Sequence, residues 1–152
     1  MTTDIKQILS FLRKDARIPL TSVSKKTSIP VSTLHEMVKN NLRGSIKKKT
    51  VILDFEKLGY NARANVLLKV KKQDRDELKE YLTKNKHTNS LQGISNGYDF
   101  LAEFIFQDFK EMESFFETLD DNFTILDKKK YYVMEEIKNE SFLENYDYFN
   151  ST

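Results

Sequence analysis

The hydrophobic positions at the start of the chain recur with the spacing of short amphipathic helices. The first stripe occupies positions i, i+3, i+4 and i+7, namely Ile5, Ile8, Leu9 and Leu12. Asp4 precedes this stripe and is the expected N-cap of a first helix. Pro19 interrupts the pattern. A second helix is then predicted to begin at Thr21 or Ser22 and to end near Thr27.

A third helix is predicted after a short break at residues 28–30 (Ser-Ile-Pro). Ser32 is its expected N-cap, and the helix is predicted to run to about Asn41. Leu34 and Val38 lie four residues apart and share its inner face. Three short helices, with a turn of about three to four residues before the last, are typical of a helix-turn-helix.

The helical pattern stops at Gly44. Residues 46–53 are rich in β-branched side chains and predict a wing or a short pair of strands. Residues 54–59 (Asp-Phe-Glu-Lys-Leu-Gly) indicate a short connecting helix or a linker. We therefore expect a helix-turn-helix domain at residues 1–53 and a linker at residues 54–60.

The remainder of the chain begins with the alternation of a half-buried β-strand. One face of this strand carries Ala62, Ala64, Val66, Leu68 and Val70. The later elements are, in chain order, a helix at 74–84, a weak strand at 91–95, a turn at 96–97, a strand at 100–106, a helix at 108–119 and a final strand at 131–137. This βαββαβ order is the ferredoxin-like arrangement. It predicts an α+β protein with a second domain at residues 61–138 and an aromatic tail at residues 139–152.

The charge is divided unequally between these parts. Residues 1–50 contain 11 basic and 3 acidic residues, a net charge of +8, whereas residues 51–152 contain 14 basic and 20 acidic residues, a net charge of −6. A basic first third joined to an acidic remainder indicates a nucleic-acid-binding domain attached to a domain of another kind. A small helical domain that is basic by chance is the alternative.

The sequence lacks the residues that several classes of protein function require. The chain has no cysteine, which excludes disulfides, thiolate catalysis and cysteine-based metal sites. His35 and His87 belong to different predicted domains, and no Ser/His/Asp set, Walker loop or HExxH motif is present. No enzyme activity, cofactor or metal is therefore expected. No signal peptide or apolar segment of roughly 20 residues is visible, so we expect a cytoplasmic protein.

Four features together resemble the Lrp/AsnC ("feast/famine") family of transcriptional regulators. They are the helix-turn-helix, a linker ending Leu58-Gly59-Tyr60, a turn Gly97-Tyr98-Asp99-Phe100, and a last segment Tyr132-Val133-Met134-Glu135-Glu136-Ile137. The resemblance covers residues 4–138. It implies a winged or near-winged helix-turn-helix that binds double-stranded DNA, followed by a ferredoxin-like regulatory (RAM) domain. It also implies homodimers through the sheets of these domains, higher oligomers, and an amino acid or similar effector near residues 97–99.

Residues of the predicted DNA interface fall into two groups. The residues expected to reach base edges from the third helix are Ser32, Thr33, His35, Glu36 and Lys39. The residues expected to contact the phosphate backbone are Lys25, Lys26, Lys47, Lys48 and Lys49. The chain departs from the family pattern at Met37, where members often carry arginine. It is also about one residue shorter before Leu42, which is expected to close the domain core.

The predicted effector site centres on the turn at Asn96, Gly97, Tyr98 and Asp99. Gly97 supplies a positive φ, and Asp99 is expected either to bond its own backbone or to bind an effector. Exposed backbone N–H groups and a carboxylate could bind the carboxylate and the ammonium of an amino acid. Tyr132 is a predicted additional member. Weaker candidates for the lining are Thr88, Ser90 and Gln92.

The sequence leaves open two alternatives to an effector-sensing regulator. A constitutive DNA-architectural factor would have the same DNA-binding domain but no effector. An enzyme resembling the haem-pathway decarboxylases that share this fold would use a pocket in the second domain, with His87 as its imidazole. The tail contains Phe142, Leu143, Tyr146, Tyr148 and Phe149. Because such side chains are rarely left exposed, the tail is expected to pack on the protein or on another subunit.

Overall fold

The computed structural model describes residues 2–149, and the chain divides into two compact units. One unit contains the chain up to Val51 together with the chain from Ile137 onward, and the other contains Ile52–Glu136. Each unit has its own hydrophobic core. Among the described residues, no helix has the length and apolar character needed to cross a membrane.

The first unit contains the predicted helix-turn-helix. Its helices are α1 (Thr2–Lys14), α2 (Leu20–Thr27) and α3 (Val31–Lys39). They pack around the fully buried side chains of Ile8, Val23, Leu34 and Leu42. The predicted three-helix arrangement is therefore confirmed.

The starts of all three helices differ from the predicted ones. Helix α1 already includes Asp4, which is therefore not its N-cap. Pro19 and Pro30 are the N-caps of α2 and α3, so Ser32 lies inside the first turn of α3 and makes no cap. Proline suits these positions because its fixed φ is compatible with a helix start and its missing N–H would have no helical partner there.

A left-handed turn follows α3 instead of a further helical turn. The φ angles of Asn41, Leu42, Arg43 and Gly44 are 48°, 47°, 60° and 81°. This turn directs Leu42 into the core, where its side chain is fully buried. The expectation that Leu42 closes the core is thus confirmed, but α3 ends at Lys39 and not near Asn41.

The predicted wing is absent from the described chain. Residues 46–53 contain no strand, and among the described residues they join no sheet. Only Ile46 packs against the helical core. The prediction of a strand pair was wrong here because β-branched composition favours extended backbone but cannot supply the second strand that a sheet requires.

The second unit has the predicted βαββαβ order. Its elements are β1 (Ala62–Val70), α4 (Arg75–Lys84), β2 (Thr88–Gly93), β3 (Phe100–Phe106), α5 (Phe109–Asn122) and β4 (Ile125–Tyr132), with a 3₁₀ turn at Lys72–Asp74. The antiparallel sheet has the strand order β2-β3-β1-β4. This confirms the α+β, ferredoxin-like prediction.

One face of the sheet packs against both helices of this unit. The fully buried strand residues on this face are Ala62, Ala64, Val66, Leu68, Phe100, Ala102, Phe104 and Phe106. Helix α4 contributes Leu78 and Leu82, and α5 contributes an aromatic and aliphatic stripe. Asp108 caps α5 by accepting a hydrogen bond from Glu111 N at 2.8 Å. The period-2 and period-3.6 patterns of the sequence correctly predicted this core.

The two edge strands lie earlier in the chain than predicted. Strand β2 ends at Gly93, and β4 ends at Tyr132. The predicted final strand at residues 131–137 therefore overlaps β4 only at its start. Val133 N still donates to Arg63 O at 2.9 Å, so the chain follows β1 for one residue beyond β4.

The C-terminal tail contacts α1 within the first unit. A 3₁₀ turn at Tyr146–Phe149 lies against that helix. Arg13 donates to Phe142 O at 3.0 Å and to Glu140 O at 2.5 Å. The expected packing of the tail on the protein is confirmed for this part. The side chains of Tyr148 and Phe149 lie outside the described residues.

Candidate DNA-binding and effector sites

Hydroxyl groups hold the turn between α2 and α3. Ser28 ends α2 in the left-handed region, with φ 61°, and its N–H donates to Ser24 O. Ser24 Oγ donates to Ile29 O at 2.6 Å, and Thr27 Oγ1 donates to Val23 O at 2.8 Å. The turn is therefore fixed locally, and it sets the direction in which α3 leaves α2.

Helix α3 presents a continuous polar face. All five side chains predicted to reach base edges are exposed, namely Ser32, Thr33, His35, Glu36 and Lys39. On the opposite side, Leu34 is fully buried. A helix with one buried side and an exposed side of hydroxyl, imidazole, carboxylate and ammonium groups can enter a major groove. There it can donate to base edges or phosphates and, through the carboxylate, accept from a base amino group.

The predicted backbone-contacting lysines lie in two places. Lys25 and Lys26 are exposed in the last turn of α2. The Nζ atom of Lys26 lies 5.3 Å from the centroid of the Phe11 ring, which directs this lysine toward α1. The other three, Lys47 to Lys49, are exposed on the irregular chain after Ile46.

The loop between β2 and β3 has two consecutive residues in the left-handed region. The φ angles of Asn96 and Gly97 are 72° and 97°. No hydrogen bond among the described residues uses the backbone N–H of Asn96, Gly97 or Tyr98. Three adjacent backbone donors on an exposed loop are suited to bind a small carboxylate.

The Asp99 carboxylate already has partners within its own unit. Val70 N donates to its Oδ2 at 2.9 Å, and Arg75 Nε lies 3.3 Å from its Oδ1. Asp99 N also donates to Leu68 O at 2.8 Å. Asp99 therefore bonds the end of β1 and not its own backbone, and its main effect is to fix the loop against the sheet.

Tyr98 joins the loop to β4, a connection that no sequence pattern predicts. Its hydroxyl donates to Asp127 Oδ2 at 2.5 Å, and Lys129 Nζ lies 5.5 Å from its ring centroid. The hydrogen bond raises the pKa of Tyr98 and lowers the pKa of Asp127, because it favours a neutral phenol facing an ionised carboxylate. Asp127 and Lys129 thus border the loop through the pairing of β4 with β1.

Tyr132 lies away from this loop within one chain. It pairs opposite Ala64, whereas the loop is attached to β1 at Leu68. Four residues of strand separate these points, a distance of about 13 Å. The ring of Tyr132 instead contacts Phe109 at a centroid distance of 5.4 Å.

A separate cavity of about 360 Å³ lies between α4 and β2. Its lining includes Arg75 and Lys79 from the helix and Thr88 and Ser90 from the strand. Gln92 pairs opposite Leu101 and does not line this cavity. The weaker candidates for effector lining are therefore divided between two surfaces.

The face of the sheet opposite the helices is mixed in character. Leu67, Leu101 and Ile105 are half-buried on it. Arg63 crosses this face, with its NH2 group 2.8 Å from Glu103 and its NH1 group 2.6 Å from Glu136. Apolar side chains dominate the buried centre of protein–protein interfaces and arginine is enriched in them, so this face is suited to pack on another protein surface.

Comparisons with known proteins agree with this architecture. No protein-family model matches the chain. The chain is similar to the HTH-type transcriptional regulator FL11 of Pyrococcus furiosus, with 34% identity over 114 residues, which are 74% of this chain and 75% of the relative. The FL11 protein of Pyrococcus abyssi is 33% identical over 116 residues, covering 75% of this chain and 76% of the relative.

Solved structures share the complete two-part fold. The transcriptional regulator NMB0573 of Neisseria meningitidis, solved as an L-Met complex, superposes with a TM-score of 0.80 at 22% identity, covering 91% of this chain and 92% of that one. AsnC of E. coli gives a TM-score of 0.78 at 15% identity, with coverages of 91% and 95%. LrpC of B. subtilis gives 0.77 at 20% identity, with coverages of 88% and 95%.

Proposed function

Because the chain belongs to the Lrp/AsnC family of helix-turn-helix transcriptional regulators, we propose that α3 enters the major groove of DNA and that a loop of the second unit binds an effector. The observation that carries the first part is the polarity of α3. Its predicted contact residues are all exposed while Leu34 is buried, so the polar side of the helix is accessible to DNA. A homodimer would place two such helices about 34 Å apart, or at a multiple of that distance.

Removing one contact from the exposed face of α3 tests this proposal. We expect His35→Ala or Thr33→Ala to weaken binding to a site selected by the wild-type protein by about 1 kcal/mol, roughly fivefold, because a contact to a base edge is lost. Fluorescence anisotropy with labelled duplexes measures this loss. The same substitutions should change binding to random DNA much less.

A charge-matched control separates groove contact from general electrostatics. Lys39→Ala on α3 and Lys79→Ala on α4 remove the same charge from exposed positions in different units. We expect only Lys39→Ala to weaken DNA binding. Equal effects of both, or no effect of any α3 substitution, would contradict a recognition role for α3.

The proposed effector site is the loop at residues 96–98, together with Asp99 and the adjoining part of β4. The unused backbone N–H groups support binding of an amino-acid carboxylate. The partners of Asp99 support a role in holding the loop for that purpose. The L-Met in the structure of the similar Neisseria protein supports an amino acid as the ligand class. Tyr132 could join such a site only from another subunit.

Thermal unfolding with a panel of amino acids tests this site. A ligand at ten times its dissociation constant should stabilise the folded protein by about 1.4 kcal/mol. Gly97→Ala should abolish the shift, because a side chain at φ 97° strains the loop. Gly59→Ala is the matched control, since Gly59 also has a positive φ with open space around it.

We further propose that the mixed face of the sheet is the surface on which two copies dimerise. Its half-buried apolar side chains and the Arg63 ion pairs support this assignment. Effector binding would then act by changing the association of dimers, and thereby the spacing of the DNA-binding units. If no amino acid stabilises the protein, the constitutive DNA-architectural alternative is favoured.

The enzymatic alternative has little support from His87. Its ring lies 4.6 Å from the Phe106 ring centroid, and its Nδ1 is 3.0 Å from Ile105 O. Nε2 lies 3.6 Å from Glu111 Oε1. These contacts indicate that the imidazole joins the chain just before β2 to β3 and α5, and His87 does not line the cavity beside α4.

A further inference from the structure

The cavity between α4 and β2 has the charge pattern of a site for a small anion. Its volume of about 360 Å³ lies in the range of protein sites for small molecules. Arg75 and Lys79 of α4 line it, and none of the described residues that line it is acidic. The rest of its lining is neutral. A concave surface with an excess of positive charge concentrates anions.

Two contacts hold the guanidinium of Arg75 at this cavity. Its Nε lies 3.3 Å from Asp99 Oδ1, and its central carbon lies 5.1 Å from the Phe100 ring centroid. Its Nη2 lies 3.9 Å from the position that a Cβ on Gly93 would occupy, so the group reaches from α4 toward the end of β2. No hydrogen bond among the described residues uses Nη1 or Nη2. The guanidinium is therefore fixed in position, and its terminal amino groups can donate to an anion.

Lys79 supplies the second positive charge. It lies four residues after Arg75, so both side chains share one face of α4. Lys79 is exposed, and no ion pair within the described part of the chain uses its Nζ. In the same helix, Lys84 instead pairs with Glu80 at 2.6 Å. The ammonium group of Lys79 is therefore available to a ligand in the cavity.

Strand β2 forms the other side of the cavity with neutral groups. Ser90 is exposed, and no hydrogen bond among the described residues uses its hydroxyl. Leu91 is half-buried and supplies apolar surface. The strand lies at the edge of the described sheet, so the backbone polar groups on its outer side have no strand partner there. A ligand in this cavity would meet two charges on α4 and a hydroxyl with a small apolar surface on β2.

We propose that the α4–β2 cavity binds a small dianion, either a dicarboxylate or a phosphomonoester. The fork of a guanidinium matches the oxygens of a carboxylate or a phosphate, and the ammonium of Lys79 balances the second negative charge. This site differs from the effector site proposed above, since none of residues 96–98 lines the cavity. The protein would then respond to two ligands of different charge.

Asp99 connects the two sites. Its Oδ1 faces Arg75, its Oδ2 accepts from Val70 N at 2.9 Å, and it directly follows the effector loop. A dianion on the terminal amino groups of Arg75 would restrict the guanidinium while its Nε still faces Asp99. The loop would thereby lose mobility before an amino acid binds, so each ligand should favour the other. This coupling rests on the effector site proposed above, whereas the dianion site itself does not.

Isothermal titration calorimetry of the full chain at fixed ionic strength tests the dianion site, with succinate and inorganic phosphate as probes. We expect a saturable heat with at least one of them. Lys79→Gln should raise its dissociation constant roughly fivefold or more, because a hydrogen bond to a charged group is lost. Lys79 is exposed and unpaired, so this substitution should leave the fold intact. Arg75→Gln should weaken binding further.

Lys72→Gln is the matched control, because it removes the same charge from an exposed residue of the same unit that does not line the cavity. We expect it to leave the dissociation constant unchanged. Saturation by succinate alone would identify a dicarboxylate, and saturation by phosphate alone would identify a phosphomonoester. Equal weakening by Lys72→Gln and Lys79→Gln would indicate unspecific attraction of anions and overturn the proposal. The absence of saturable heat with both probes would also overturn it.

The coupling is measured by titrating the amino acid found in the thermal panel with and without the bound dianion. We expect the dianion to lower the dissociation constant of the amino acid by about fivefold. Lys79→Gln should remove this effect and leave the affinity for the amino acid alone unchanged. Equal affinities with and without the dianion would overturn the coupling. If no amino acid binds, the effector site at the loop is wrong, while saturation by the dianion still judges the α4–β2 cavity independently.

Discussion

Replacing Leu42 with alanine is expected to lower the free energy of unfolding of the DNA-binding unit by about 2–5 kcal/mol and to abolish DNA binding. Among the side chains that the structure describes in this unit, Leu42 shares its core with three other fully buried apolar residues, Ile8, Val23 and Leu34. A unit of this size has little stability to lose, so the cavity should unfold most of it. The second unit has a separate core and should remain folded.

Hydrogen exchange measured by mass spectrometry can distinguish these outcomes by segment. Peptides from α1 to α3 should lose protection in Leu42→Ala, while peptides from β1 and β3 keep theirs. Leu42→Met, which nearly conserves volume, should cost less than about 1.5 kcal/mol. Leu58→Ala is the exposed control, because Leu58 is 57% exposed. Unchanged protection in Leu42→Ala would contradict the proposed closure of the core.

The backbone at Leu42 explains why this residue matters. A non-glycine residue in the left-handed region costs roughly 1–2 kcal/mol, and Leu42 has φ 47°. Burying a leucine side chain stabilises the folded state by about 1.5–3 kcal/mol. The turn therefore persists because burial of Leu42 offsets its backbone strain. Alanine at position 42 would keep the backbone strain and lose most of the burial free energy that offsets it.

Replacing Lys47, Lys48 and Lys49 together with alanine should weaken binding to specific and random DNA alike, by roughly ten- to a hundredfold near physiological salt. Each lysine that neutralises a phosphate contributes about 0.9 to the log–log dependence of affinity on salt. Two or three lost contacts should therefore flatten that slope by about 2–3. Ammonium groups on flexible stems position the protein without selecting a sequence, so the ratio of specific to random affinity should stay the same.

The controls for this triple variant separate local contact from net charge. Lys71, Lys79 and Lys86 are exposed lysines of the second unit, and their joint replacement removes the same charge. We expect it to change the salt slope much less. An unchanged slope in the triple variant would mean that the lysines form only a solvated segment.

Much of the candidate interface could be predicted from the sequence because it depends on local periodicity. Leu34 and the exposed residues of α3 follow from a helical repeat, and the βαββαβ order follows from two repeats that differ in period. Strand β4 could not be placed in this way. Its helix-facing positions include Lys128 and Lys130, whose ammonium groups lie 5.2 and 4.8 Å from the Phe116 ring centroid. The aliphatic stems of these lysines cover the core, but their charged ends make the residues polar. The sequence of β4 therefore lacks the alternation of apolar and polar residues that predicts a half-buried strand.

Periodicity along the chain was sufficient to predict a basic helix-turn-helix followed by a βαββαβ fold, and most of the residues that face each core, because burial along a helix or strand repeats with a fixed period. The contacts between groups that are distant in the chain come from the tertiary structure alone. It paired Asp99 with Val70 and Arg75, brought Asp127 to Tyr98, and turned Leu42 into the core through a left-handed backbone. Neither these long-range contacts nor the left-handed backbone at Leu42 follows from a helix or strand repeat in the sequence. They arise because buried polar groups need partners and a short connection must still fill the core.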